Sequence, residues 1–129
     1  MKKLIIGLLF LFTSLTAFAD SWYLLPYINI KPVGGNWIGW IKVEPEPIKM
    51  HFEPEKKKIT IYSNTIQYID YSALFEDNYS GYTTLTGYAK DGDYKTLILQ
   101  ITSYENGSEF LSLSYKDGEY MYVVEKLQQ

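Results

Sequence analysis

Apolar and polar residues alternate along most of this chain with a period of two. That spacing puts one side of a strand against a core and the other in water. Leu97, Leu99 and Ile101 share one face of a segment, and Leu111, Leu113 and Tyr115 share one face of the next. Val123 and Leu127 are expected to continue the apolar face, with Glu125 interrupting it. The pairs Asp91-Gly92, Asn106-Gly107 and Asp117-Gly118 separate these segments, and such pairs suit the positive φ angles of tight hairpins. The pattern predicts strands near 80–90, 94–104, 109–115 and 119–126, joined as a four-stranded antiparallel meander.

The N-terminal half is choppier. Ile48, Met50 and Phe52 alternate with Lys49, His51 and Glu53, and Ile59 and Ile61 alternate with Thr60 and Tyr62. The charged run Glu53-Pro54-Glu55-Lys56-Lys57-Lys58 connects them and is too polar to bury. A turn at Ser63-Asn64 leads into a strand over 65–71, and 72–79 reads as a loop or short helical turn. A strand over 37–43 ends at Glu44-Pro45-Glu46-Pro47, because proline lacks the ladder donor and restricts the residue before it. A further strand is expected within 22–30. The fold class is therefore all-β: an antiparallel up-and-down meander of about eight strands, closed into a small barrel or folded as a sandwich.

Ahead of this pattern stands a different one. Lys2 and Lys3 precede an apolar run from Leu4 through Phe12, and Ala17-Phe18-Ala19 supplies small residues where a signal peptidase cuts. The expected organisation is a signal peptide over 1–19 and a single all-β domain over 20–129, located in the periplasm or secreted. The apolar run is shorter than the ~20 residues of a spanning helix. Asp20 follows the cleavage site where a lipid-anchored product would carry cysteine, and the chain has no cysteine at all. The fold must stand on its own core, without disulfides.

Charge narrows the partners. Removal of 1–19 leaves ten lysines against fifteen acids, a net charge of −5 with histidine neutral, and no arginine. An acidic domain without arginine is unsuited to nucleic acid and to anionic lipid surfaces. The sole histidine, His51, shares a strand face with Lys49 and Glu53 and is expected on the solvent side. Neither a G-x-S-x-G elbow nor a zinc-ligand set is present. Asp91-Gly92-Asp93 and Glu76-Asp77-Asn78 offer oxygen ligands, yet neither has the spacing of a calcium loop. Carboxylate pairs are unavoidable among fifteen acids and single out no hydrolase. The expectation is no enzyme, no cofactor and no metal.

Thirteen tyrosines and three tryptophans are the unusual feature. Tyr94 and Tyr104 are expected opposite Leu97, Leu99 and Ile101. Tyr120 and Tyr122 alternate with Met121 and Val123, and Tyr82 and Tyr88 share parity on the preceding strand. These six are the candidate binding residues, on one continuous tyrosine-bearing face. Tyrosine combines a large rigid contact area with a hydrogen-bonding tip.

Gly35-Asn36-Trp37 resembles the G-x-W signature of lipocalins and related calycin barrels. The resemblance implies a small barrel whose tryptophan closes one end beneath a cavity for an apolar small molecule. Members of that family commonly pack a C-terminal arginine over the tryptophan, and this chain has none. An outer-membrane barrel would need strands of ~9–11 residues and aromatic girdles; several strands here are shorter, and stable membrane insertion is not expected. The leading expectation is an exported binding module that recognises a protein or a glycan, with a small apolar-ligand carrier as the alternative. A carrier would enclose a cavity of several hundred Å3.

Overall fold

A computed structural model describes residues 21–127. The expected signal peptide over 1–19 and the cleavage before Asp20 lie outside the described residues. The strands are β1 (Ser21–Leu25), β2 (Tyr27–Pro32), β3 (Ile41–Lys42), β4 (Ile48–Glu53), β5 (Lys58–Tyr62), β6 (Ile66–Tyr71), β7 (Phe75–Tyr79), β8 (Tyr82–Asp91), β9 (Thr96–Tyr104), β10 (Glu109–Tyr115) and β11 (Gly118–Lys126). The charged run after β4 forms a single 3-10 turn, Pro54–Lys56, none of whose residues is buried.

All pairings are antiparallel, and the sheet closes. β1 pairs with β4 on one side and with β11 on the other, so the order β1-β4-β5-β6-β8-β9-β10-β11 returns to its start. The result is an eight-stranded up-and-down barrel with extra strands. Those extras are continuations of barrel strands through bends. Leu24 lies opposite Glu125, yet Ile28 lies opposite Tyr122, so one extra residue is inserted between β1 and β2. Pro26 stands at that bulge, where a missing N–H costs nothing to the ladder. Its carbonyl accepts the Val43 N–H. β6 continues into β7 in the same manner, since Tyr71 faces Ala89 while Phe75 faces Thr86. Beneath this second bend sits Gly87, where a Cβ would run into the carbonyl oxygen of Ala73. Only glycine lets the bent strand lie that close.

Two N-terminal expectations are corrected here. Residues 72–79 are not a loop throughout. Glu76-Asp77-Asn78 have low strand propensity, but β8 offers them a full ladder, and pairing overrides propensity. The strand expected over 37–43 shrinks to Ile41–Lys42. Gly39 takes a positive φ of 105° and donates its N–H to Asn29 Oδ1, so this stretch folds back over the outside of β2. Gly35-Asn36-Trp37 therefore lies in the β2–β3 connection, and Trp37 is not among the residues of the barrel core.

The core fills the barrel. Leu97, Leu99, Ile101, Leu111 and Leu113 are buried as expected, and Leu25, Ile59, Ile61 and Ile69 meet them from the opposite wall. Eight strands enclose just enough width for side chains to fill. On the outer wall, Thr84, Thr86, Gln100 and Thr102 stand side by side across β8 and β9.

The face of β11 is the main correction. Tyr122 lies directly opposite Leu111, and Tyr120 directly opposite Leu113. Directly paired residues point to the same side of a sheet. Tyr120, Tyr122 and Val124 consequently face inward, while Val123 and Glu125 face outward. The cause is the turn. Tyr115 pairs with Gly118, which leaves two residues, Lys116 and Asp117, to make the connection. A two-residue turn joins odd positions of one strand to even positions of the next.

Candidate binding site at the barrel mouth

The two ends of the barrel interior differ, and β10 spans both. At its start, Glu109 sits with Tyr23, Met50, Phe52 and Val124 around a cavity of only ≈ 20 Å3. That is room for about one water molecule. At the other end of β10, Tyr115 opens onto a cleft of ≈ 530 Å3. Its walls are the β5–β6 turn, the start of β6, the β8–β9 hairpin and the first residues of β11. Mouths of β-barrels are common places for ligand sites.

The hairpin at the rim is built around Asp91. Its Oδ1 accepts the N–H of Asp93 at 2.9 Å and of Lys95 at 3.0 Å. Its Oδ2 accepts the hydroxyl of Tyr115 at 3.0 Å, which ties the hairpin to the barrel floor. Burial alone would raise the Asp91 carboxyl, but the two backbone N–H donors and the Tyr115 hydroxyl outweigh it and hold the group below the usual carboxylate range. The Tyr115 hydroxyl is pushed up in turn, by burial first and then by the Asp91 carboxylate it bonds. Tyr122, 2 % exposed, forms the inner wall of the cleft. Burial pushes its hydroxyl up, against a hydrogen bond with Gln67 that pulls it down. Tyr120 stands edge-on to Tyr115, with centroids 6.0 Å apart, and is 37 % exposed. The cleft thus offers tyrosine rings, hydroxyl tips, one carboxamide, the carboxylates of Asp91, Asp93 and Asp117, and a single ammonium from Lys95.

The six candidate tyrosines do not share one face. Tyr120 and Tyr122 line the mouth from inside, for the parity reason given above. Tyr94 is not on a strand at all. It occupies the β8–β9 turn with a φ of 62°, so the left-handed residue of this hairpin is Tyr94 rather than Gly92. Together with Tyr88 it lines a second, shallower cleft of ≈ 410 Å3 outside the wall, which also includes Asp91. Tyr82 and Tyr104 are paired on the outer wall, inside a ladder of rings running Tyr79, Tyr82, Tyr104, Phe110 and Trp40 with centroids 4.8–5.8 Å apart. Tyr79 and Tyr82 lie within 16° of parallel at 4.8 Å, so each covers a face of the other. That ladder joins β7 and the β2–β3 connection to the wall.

His51 is on the outer wall, as alternation requires, but it is not solvated. Trp22 pairs with it across the strands and stacks on the imidazole at 4.3 Å with 5° between planes. The side chain is 15 % exposed, and Nδ1 lies 3.7 Å from Glu53 Oε1. His51 lines neither cleft. Gln67 and Tyr115 complete the mouth without having been singled out from the sequence. The available signal was positional: both sit at strand ends beside turns that converge on one end of a meander. Among the described residues, no group of three or more His, Cys, Asp or Glu side chains is placed to hold a metal ion. No family model, no curated protein and no solved structure matches this chain.

Proposed function

We propose that this chain is an exported, non-catalytic binding module that holds a neutral glycan at the open mouth of its barrel. The observation that carries the reading is the chemistry of the ≈ 530 Å3 cleft. A sugar presents hydroxyls that both donate and accept, and apolar C–H faces that pack on rings. The tyrosine hydroxyls, Gln67 and the carboxylates answer the first, and Tyr68, Tyr115 and Tyr120 the second. Ile66 is the one aliphatic side chain in the lining, so the cleft is walled mainly by polar groups and tyrosine rings. Three carboxylates against one ammonium disfavour anionic ligands. The apolar interior, together with the polar patch of Thr84, Thr86, Gln100 and Thr102 on the outside of β8 and β9, supports a barrel that works in water, since an outer-membrane barrel carries its apolar band outside.

Calorimetric titration of the chain from residue 20 against a panel of neutral oligosaccharides tests the reading. Binding is expected for at least one series, with little dependence on ionic strength because the ligand is uncharged. Tyr120→Ala is expected to weaken it by about tenfold or more, as truncation of an aromatic contact does, with the melting temperature used to confirm folding. If no neutral glycan binds, or if Tyr120→Ala binds as tightly as the parent, the proposal fails. Capture of a basic peptide with strong salt dependence would instead favour a protein partner.

A further inference from the structure

Three observations converge on the β8–β9 hairpin. First, Tyr94 takes a left-handed backbone conformation, which costs an ordinary residue roughly 1–2 kcal/mol and glycine almost nothing. Second, its ring offers no packing in return, being 83 % exposed. Third, the turn holding it is stiff. Tyr94 N–H donates to the Asp91 carbonyl, Asp91 N–H to the Lys95 carbonyl, and the Asp91 side chain binds the N–H groups of Asp93 and Lys95. Strain held in place by such a network, with no gain in packing, is the signature of a site kept for contact with something else.

The surroundings say where that contact runs. Tyr88, 69 % exposed, lines the same outer cleft as Tyr94, with the opposed charges of Asp70 and Lys90 directly paired beside it. Asp91 belongs both to this outer cleft and to the mouth cleft. We infer that the two clefts are subsites of one extended site, so that the ligand is a glycan chain whose end enters the mouth and whose following units cross the Asp91 rim onto Tyr94 and Tyr88. This rests on the reading of the mouth as a neutral-glycan site and adds that the preferred ligand is a polymer or long oligomer, held by its end. The rigid ring at the turn tip suits such a role, because two torsions only must be fixed on binding.

The test is affinity as a function of chain length, from monosaccharide to hexasaccharide of the series that binds the mouth, in the parent, Tyr94→Gly and Tyr120→Ala. Tyr94→Gly keeps the positive φ and removes the ring, so folding is not at risk. Affinity in the parent is expected to climb with length and then level off. Tyr94→Gly is expected to leave the short ligands within about twofold and to lose about tenfold on the longest, flattening the length dependence, whereas Tyr120→Ala weakens all lengths alike. A parent affinity that does not change with length, or a Tyr94→Gly variant that matches the parent on the longest ligand, overturns the extended site while leaving the mouth reading intact. Absence of binding at every length removes both.

Discussion

The barrel interior ends in two carboxylates with opposite fates. At the packed end, Glu109 is enclosed by apolar side chains, and burial pushes its pKa up despite the Ser103 hydroxyl that donates to Oε2 at 3.0 Å and the nearby charge of Lys126. At the mouth, Asp91 is surrounded by donors and lies near water, and its pKa is held down. One end of β10 hides a group that would rather be neutral, and the other end displays a group built to stay charged. The difference separates what the fold tolerates from what it organises. A cavity of ≈ 20 Å3 beside Glu109 receives nothing larger than water, whereas three turns and four tyrosines are arranged around the cleft beside Asp91.

The two ends share one support, and removing it should abolish the contrast. Leu99 is fully buried midway along the barrel, opposite Leu113. Leu99→Ala is expected to cost about 2–5 kcal/mol, the transfer term plus the cavity it leaves. Thermal or denaturant unfolding measures this. A cost below ~1 kcal/mol would mean that the interior is not the close-packed column that makes one end closed.

Asp91 tests the mouth alone. Asp91→Ala removes the acceptor for two backbone N–H groups and for Tyr115. Net hydrogen-bond contributions are ~0.5–1.5 kcal/mol each, and exposure of the hairpin favours the low end, so a loss of about 1–2 kcal/mol is expected at neutral pH. The sign with pH follows from the lowered pKa. Stability contributed by Asp91 is complete above the unfolded value of ~3.9 and is lost as pH falls through the lower folded value. The gap between parent and variant should therefore close in strong acid. A gap that is constant down to the acid limit would show that the charge of Asp91 is not what the donors hold.

How much of this was legible beforehand turns on parity. Alternation located the strands from β8 to β11 and the buried leucines, because period two is a local property of each segment. The meander followed from hairpin signals at close spacing, whereas closure into a barrel rather than a sandwich rests on the long-range pairing of β1 with β11. What alternation did not carry was the phase between strands. Tyr122 read as an outward residue because its own neighbours alternate correctly, and only the two-residue turn at Lys116 and Asp117 decides that it faces Leu111. The mouth is hidden for that reason: alternation alone puts Tyr120 and Tyr122, half its tyrosines, on the outside. Tyr94, a candidate from the sequence, is misplaced for a different reason: it sits in the turn and not on a strand face. Asp91-Gly92 announces a turn, but four residues between paired strands leave the left-handed position free to fall on any of them. β7 went unseen because Glu76-Asp77-Asn78 have no strand character of their own, and neither bend, at Pro26 nor at Ala73, is written in an apolar pattern.

The smallest effect is at the packed end, and it is the sharpest test of the contrast. A folded-state pKa raised above the unfolded value means that the protonated carboxyl fits the folded protein better than the carboxylate does. Glu109 therefore favours folding below the unfolded value of ~4.3, and that advantage is lost as pH rises through the folded value. Glu109→Gln keeps an oxygen to accept from Ser103 and removes the charge. At neutral pH it is expected to stabilise the protein by about 0.5–1 kcal/mol, the usual size of a single favourable change of this type. For a domain near 100 residues that corresponds to a rise of roughly 2–8 °C in melting temperature. As pH falls below the unfolded value the carboxyl is protonated in both states, and the difference between the two proteins should shrink. Glycan affinity should not change at either pH, because Glu109 lies at the far end of β10 from the cleft. A variant that is less stable than the parent at neutral pH would mean that the Glu109 carboxylate is paired rather than merely buried, and the two ends of the barrel would then be alike in the one respect that distinguishes them.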